Sequence, residues 1–126
     1  MPLIGICPSS DAVEEELAGL MSLIRPAIKD VVMAYSGFPE DDVLVTLRKC
    51  DVRDKDPFEP AFAVHIDTCP NEELEAVSDE MLETVANALI DLGITKDRSI
   101  EIWPKFLPGP WCMVTNGEIV DTVKHN

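Results

Sequence analysis

Side chains that could do acid–base or ligand chemistry are few in this sequence, and they lie in or beside short apolar runs. His65 and Asp67 alternate along residues 61–68, so on a strand they share a face. No nucleophile lies beside them in the run, and a structural or partly exposed histidine is the favoured interpretation. Arg48 lies near the end of another run, residues 43–49, on the same predicted face as Leu44.

The four cysteines, Cys7, Cys50, Cys69 and Cys112, also lie in or beside strand-like segments. The sequence contains no CxxC pair and no cluster of cysteine and histidine, so it predicts no zinc site. Buried thiols without disulfides are the favoured interpretation. The sequence predicts neither a bound metal nor a cofactor.

Charge and hydropathy exclude several classes of partner. The chain has 24 acidic and 10 basic residues and a net charge of −14, which disfavours nucleic acids and anionic membranes. No run of about 18 apolar residues is long enough to cross a membrane. The first residues lack the basic and apolar pattern of a secretory signal, so a cytoplasmic location is expected.

The first half of the chain predicts a strand, a helix and a second strand. Residues 2–7 form a short apolar run, and proline is allowed at the first position of a strand. Apolar residues then recur at three- and four-residue steps up to Tyr35, which predicts one long helix. Pro26 lies inside this run and predicts a bend there. Residues 43–49 are the second strand.

The second half repeats this order after a polar, proline-containing loop at residues 51–60. Its elements are a strand at 61–68, a helix at 71–92, a strand at 99–103, an irregular segment at 104–110, and strands at 111–115 and 118–123. Asn116-Gly117 separates the last two strands, and this dipeptide is a strong signal for a β-hairpin.

The two halves, residues 2–50 and 61–106, form a pseudo-repeat within a single domain of residues 1–126. Strands joined through a helix pair in parallel with a right-handed crossover. The predicted fold is therefore α/β (α+β), with two β-α-β units in one four-stranded mixed sheet, both helices on one face, and the C-terminal hairpin at 111–123.

The face of the sheet opposite the helices needs cover, because it is partly apolar. It contains Leu44 and, depending on the register, either Ile100 and Ile102 or Glu101 and Trp103. Burial against other copies of the chain would cover it.

The doubled layout and three short segments resemble the tautomerase superfamily, which includes the macrophage migration inhibitory factor, 5-carboxymethyl-2-hydroxymuconate isomerase and malonate semialdehyde decarboxylase families. The segments are Met1-Pro2-Leu3-Ile4, residues 36–43 and residues 94–102. The pattern covers most of the chain. The resemblance implies a homotrimer with active sites between subunits.

The resemblance implies chemistry at Pro2. If Met1 is removed, the proline nitrogen becomes a terminal secondary amine, and an α-amino group has a pKa of roughly 7.7–8.0. Burial or nearby cations lower this pKa, which gives a base that could move a proton in a keto or enol acid. If Met1 is retained, the nitrogen is an amide and this chemistry is excluded. The alternative is that Pro2 only begins a strand.

The resemblance also suggests residues that would bind a small anionic keto or enol acid. Arg48 is the candidate catalytic partner of Pro2, binding a carboxylate and polarising an enolate, although a surface role remains an alternative. Phe38, Ile100 and Ile102 occupy positions where the inhibitory-factor family has a lysine, a tyrosine and an asparagine. They and Trp103 are the candidate substrate-binding residues, and Trp103 could instead pack against a second subunit.

Two functions fit these observations. The first is a cofactor-independent tautomerase or isomerase of small keto or enol carboxylic acids that uses an N-terminal proline. The second is a noncatalytic trimer of the same fold with a structural or binding role, which the apolar residues at the polar positions of the family favour.

Overall fold

Six strands and four α-helices make up the part of the chain that the structure, a computed structural model, describes: residues 2–51, 53–54, 56–107 and 111–123. For residues 111–113, 115 and 120–123 the description is of the backbone alone. The predictions made for Met1, for residues 108–110 and for the side chain of Cys112 lie outside the described residues.

The elements follow the predicted order. They are β1 (Leu3–Pro8), α1 (Asp11–Ala18), α2 (Met21–Ser36), a short 3-10 turn (Glu40–Asp42), β2 (Leu44–Leu47), β3 (Phe62–Thr68), α3 (Glu72–Ala76), α4 (Ser78–Asp91), β4 (Ile100–Phe106), β5 (Trp111–Thr115) and β6 (Glu118–Val123).

Four strands form one mixed sheet in the order β2-β1-β3-β4. Strands β1 and β2 pair in parallel, as do β3 and β4, while β1 and β3 are antiparallel. This confirms the predicted sheet of two β-α-β units. Strands β5 and β6 form a separate two-stranded sheet around Asn116 and Gly117, which both have positive φ, as the hairpin prediction requires.

The hydrophobic core lies between one face of the sheet and the helices. Alternate residues of each strand point into it because the side chains of a strand change face at every residue. The strands supply Ile4, Ile6, Val45, Phe62, Val64 and Ile66, and the helices supply Leu17, Ile24, Ile28, Val32, Leu74, Met81, Val85 and Leu89. This apolar face fixes which side of each strand is covered.

The prediction of one continuous first helix is wrong, because the helix is interrupted at Gly19-Leu20. Helix α1 ends at Gly19, and α2 begins after Leu20. Glycine is about 1 kcal/mol less favourable than alanine inside a helix, which makes this position a natural break. Pro26 lies inside α2, where it removes one hydrogen bond without ending the helix.

The second predicted helix is also divided, with its two segments meeting at Val77. Asn71 caps the first segment through a 3.1 Å hydrogen bond that its Oδ1 accepts from the Leu74 amide. Strand β4 is longer than predicted and includes Pro104, which was assigned to an irregular segment. Because β4 is an edge strand, it tolerates a residue without an amide hydrogen.

Candidate functional site on the open face of the sheet

The face of the sheet opposite the helices, called the open face below, presents polar and apolar side chains together. The register decides the two alternatives left by the sequence: Glu101 and Trp103 lie on the open face, next to Ala63 and His65. Two rows cross the four strands: Leu44, Leu3, Asp67 and Lys105; and Thr46, Gly5, His65 and Trp103. A third row, Cys7, Ala63 and Glu101, crosses β1, β3 and β4.

Arg48 follows directly after β2, and its position is fixed through the backbone. Its amide donates a 2.8 Å hydrogen bond to the Ile6 carbonyl, which continues the parallel ladder beyond Leu47. Its guanidinium bends back over β1, so that a Cβ atom placed on Gly5 would meet Nε, with Cζ and Nη2 at 3.2 Å. Within the described residues no carboxylate pairs with this side chain, since the salt bridge found there joins Arg98 and Glu16. Arg48 is therefore available to an anion.

An open cleft of about 260 Å³ begins at this arginine, at the end of β1 that is distant from Pro2. Arg48 and Lys49 provide positive charge there, and Asp51 and Glu59 provide negative charge. The other lining residues are Cys7, Pro8, Ser9, Pro60 and Ala63. The cleft has room for a small molecule, and its cations offer a place for a carboxylate.

Cys7 is the thiol that lines this cleft, and it is half-buried. Burial raises the pKa of the Cys7 thiol, and the positive charge of Arg48 opposes this effect in part. The thiol therefore stays protonated at neutral pH, where it adds no negative charge next to Arg48. The prediction of a buried thiol holds only in part for Cys7 and for Cys50, which is also half-buried.

Pro2 is buried at the start of β1. Its carbonyl accepts a 3.1 Å hydrogen bond from the Leu44 amide, which holds it against the start of β2. The antiparallel register, continued by one residue, sets it opposite Thr68, which is only 5% exposed. The guanidinium over Gly5 is about 10 Å farther along the strand, at 3.3 Å per residue. Pro2 is in phase with Ile4 and Ile6, so its ring lies on the covered side of β1, whereas the guanidinium lies on the open face.

Two polar atoms on the open face are buried and have no hydrogen-bond partner in the described part of the chain: Nδ1 of His65 and Oδ1 of Asp67. Leaving such an atom without a partner costs about 1–3 kcal/mol. Nearby, Trp103 is 51% exposed, and its indole nitrogen donates a 2.7 Å hydrogen bond to Glu101. The exposed Trp103 is typical of a surface that packs against another molecule, whereas the two buried atoms are shielded within the subunit itself.

The remaining predicted substrate-binding residues do not share the open face with Arg48. Ile100 and Ile102 alternate with Glu101 and Trp103, so they point toward the helices, where both pack against the core. Phe38 follows α2 and packs against the core as well. Trp103 is the predicted substrate-binding residue that the structure brings to the open face with Arg48.

Sequence reasoning missed Gly5, Lys49 and Asp51. An isolated glycine inside the strand-like run of residues 2–7 was the available signal for Gly5, because such a glycine marks a place of close approach. The charges of Lys49 and Asp51 gave no signal, since charged residues next to a strand usually face solvent.

Across the described ranges no group of three or more histidine, cysteine, aspartate or glutamate side chains is arranged to hold a metal ion. None of the helices described is both long and apolar enough to span a membrane.

Solved structures share this fold. FG41 malonate semialdehyde decarboxylase inhibited by 3-bromopropiolate aligns over 90% of this chain and 90% of its own, with a TM-score of 0.58 and 16% identity. A fused 4-OT wild-type symmetric trimer aligns over 93% of this chain and 94% of its own, with a TM-score of 0.58 and 18% identity. Leishmania major MIF2 aligns over 95% and 97%, with a TM-score of 0.58 and 16% identity.

These similarities confirm, at the level of the fold, the resemblance drawn from the sequence: the chain has the tautomerase-like fold of its structural neighbours. No protein-family model and no curated protein matches the sequence. The assignment of a site therefore depends on the geometry of this chain's own residues.

Proposed function

We propose that this protein is a cofactor-independent tautomerase or isomerase of small keto or enol carboxylic acids, with Pro2 as the base and Arg48 as the carboxylate-binding residue. The observation that carries the proposal is the guanidinium of Arg48. It lies over the strand that Pro2 begins, and no carboxylate among the described residues pairs with it. A carboxylate held there could extend along β1 toward the buried Pro2.

The reaction needs only proton transfer. With Met1 removed, the Pro2 nitrogen would take a proton from the carbon next to the substrate's carbonyl group, and the electron pair of that C–H bond would form an enolate. The resulting ammonium would return the proton to oxygen, giving the enol, and the reverse direction uses the same steps. Burial of Pro2 supports a base of this kind, because it disfavours the charged amine. No electrons are gained or lost.

The experiment is turnover of phenylpyruvate by the mature protein, with an intact-mass measurement to establish that Met1 is absent. Removing a positioned general base typically costs 10²–10⁴-fold in rate, so Pro2→Ala in the same mature form should lose about that much. Its melting temperature and oligomeric state report whether the fold is kept. Equal turnover by the folded variant would contradict the proposal.

The proposed active form is a homotrimer, with substrate bound near subunit boundaries. Two features of the open face support self-association: the exposed Trp103 and the 38% exposed Leu44. One structural neighbour is itself described as a symmetric trimer. Sedimentation at micromolar concentration tests the assembly, and a monomer would contradict it.

The second candidate, a noncatalytic trimer with a structural or binding role, is favoured by Phe38, Ile100 and Ile102. These apolar residues pack against the core, at positions where the resemblance implies polar groups. This candidate predicts no turnover of phenylpyruvate or 2-hydroxymuconate, even when the mass shows a free Pro2. Turnover that Pro2→Ala abolishes would exclude it.

A further inference from the structure

Gly5 is a glycine that the backbone of β1 does not require. It lies in the middle of the strand, paired with Thr46 on one side and His65 on the other. Its φ is not among the positive values, which in the described residues belong to Gly37, Gly93 and Gly117 among the glycines. A glycine inside a strand weakens it by roughly 0.5–1 kcal/mol relative to alanine. Its presence therefore needs a reason other than backbone conformation.

The space above Gly5 supplies that reason. A Cβ atom at this position would lie closer to Nε of Arg48 than Cβ atoms in proteins lie to their neighbours. Two more atoms of the Arg48 side chain, Cζ and Nη2, would be 3.2 Å away from it. Gly19 offers a contrast, since its added Cβ would meet the carbonyl oxygens of Glu16 and Glu15 at the ordinary distances of 3.6 and 4.0 Å. An alanine is thus accommodated at Gly19, whereas at Gly5 it displaces Arg48.

We propose that Gly5 is a positioning residue: the space left by its missing side chain, called the seat below, holds the Arg48 guanidinium over β1, displaced toward the Pro2 end of the strand. The inference rests on the proposed function, because it gives the seated guanidinium the substrate carboxylate as its ligand. Without the seat, Arg48 swings toward solvent and the cleft charges of Asp51 and Glu59. A carboxylate then loses the oriented pair of N–H donors that makes arginine selective for it.

Two measurements on the Gly5→Ala variant test the seat. The first is the Nε–H signal of Arg48 in a nitrogen-15 NMR spectrum, assigned by its loss in Arg48→Lys. Gly5→Ala should shift this signal, while Gly19→Ala should leave it unchanged. The second is binding of phenylacetate against its neutral amide, phenylacetamide. Gly5→Ala should weaken phenylacetate binding about tenfold, equivalent to about 1.4 kcal/mol, and leave phenylacetamide unaffected.

A double variant separates positioning from a general loss of structure. If Gly5 acts through Arg48, then Gly5→Ala has no further effect on phenylacetate binding in an Arg48→Ala background. The seat is contradicted by an unmoved Arg48 signal, by equal loss for phenylacetate and phenylacetamide, or by a Gly5→Ala effect that persists without Arg48. Wild-type protein that binds both probes equally would also contradict it.

These tests do not depend on catalysis. Phenylacetate cannot tautomerise to a stable enol under these conditions, and its binding needs no free amine at Pro2. If mature protein fails to turn over phenylpyruvate but the Arg48 signal and the phenylacetate selectivity respond as described, the proposed catalysis fails and the Gly5 seat stands.

Discussion

The two faces of the four-stranded sheet use the same alternating backbone in opposite ways. On the face covered by the helices, β1, β2 and β3 contribute buried side chains, such as Ile4 and Phe62, and β4 contributes the partly buried Ile100 and Ile102. On the open face, the residues between them include a glycine, an arginine, a histidine and an aspartate. The arginine has no ion-pair partner among the described residues, and the histidine and aspartate have buried atoms without a described partner.

This difference separates what folds the chain from what it can do. The apolar side chains of the covered face are buried within one copy of the chain, because apolar contacts need no particular direction or type of partner. The open face presents a directional group that is accessible, the Arg48 guanidinium, which has no ion-pair partner among the described residues and can bind a ligand. Substitutions on each face test this division, and those on the covered face should have the largest effects on folding stability.

Phe62 and Trp103 are large aromatic residues on opposite faces of adjacent strands. Phe62 is 1% exposed, so Phe62→Ala should destabilise the protein by about 3–5 kcal/mol. Trp103→Ala removes a half-exposed side chain and should cost less than about 1 kcal/mol within the subunit. Urea unfolding of both variants measures the comparison. Similar losses would show that the open face contributes to the fold as much as the core does.

Arg48→Ala tests whether the open face holds the anion site. Loss of an oriented charge-assisted hydrogen bond to a carboxylate corresponds to about 1.5–3 kcal/mol, so phenylacetate binding should fall about 10- to 100-fold. Unfolding stability should change by less than about 0.5 kcal/mol, since this surface side chain has no described partner. Arg53→Ala, which removes an equal charge from an exposed loop, is the matched control. Equal effects of the two variants on phenylacetate binding would show that Arg48 contributes only through the net charge of the protein.

Asp67 tests whether a second copy of the chain completes the open face. Asp67 lies on the open face between Leu3 and Lys105, so a subunit packed on this face would meet its carboxylate, and Asp67→Asn removes the negative charge. The free energy of self-association should weaken by about 1 kcal/mol, while the subunit stays folded. In sedimentation, the variant should therefore dissociate at a higher protein concentration than the wild type. Asp54→Asn, in an exposed loop, should assemble as the wild type does. Unchanged self-association of Asp67→Asn would show that this residue does not contribute to the interface.

Cys7 gives the smallest expected effect, a dependence of stability on alkaline pH. Because burial raises the pKa of this thiol, the folded state keeps its proton at pH values where the unfolded thiol has begun to ionise. The folded state then binds more protons, so its stability decreases as pH rises through this window. Wild-type protein should therefore lose more stability than Cys7→Ala between about pH 7.5 and about pH 10. An identical loss in both proteins would contradict this assignment.

The covered face was predictable because burial imposes a period on the sequence. The three- and four-residue steps of the helices and the alternation of strands identified the mixed sheet, the helical face and the hairpin at Asn116-Gly117. The break at Gly19 was missed because the apolar periodicity continues across it. Such periodicity indicates which side of a helix is buried, but it does not indicate whether the helix is continuous.

The open face was harder to predict because its residues are chosen by partners that the sequence does not show. Alternation alone could not decide between Ile100 with Ile102 and Glu101 with Trp103, since either pair could meet a second subunit; the register with β3 decided it. The close approach of Arg48 to Gly5 joins residues 43 positions apart, and no local pattern contains it.

The central claim is that the Pro2 nitrogen acts as a base. The chemical state of this nitrogen should therefore distinguish an active from an inactive form of the protein. Two preparations of the same chain, with Met1 removed or retained as verified by intact mass, differ in whether that nitrogen is an amine or an amide. NMR in D₂O measures the rate at which each preparation exchanges the C3 protons of phenylpyruvate. Exchange at least about 10²-fold faster with Met1 removed is the expected result. Equal exchange by the two preparations would contradict the claim.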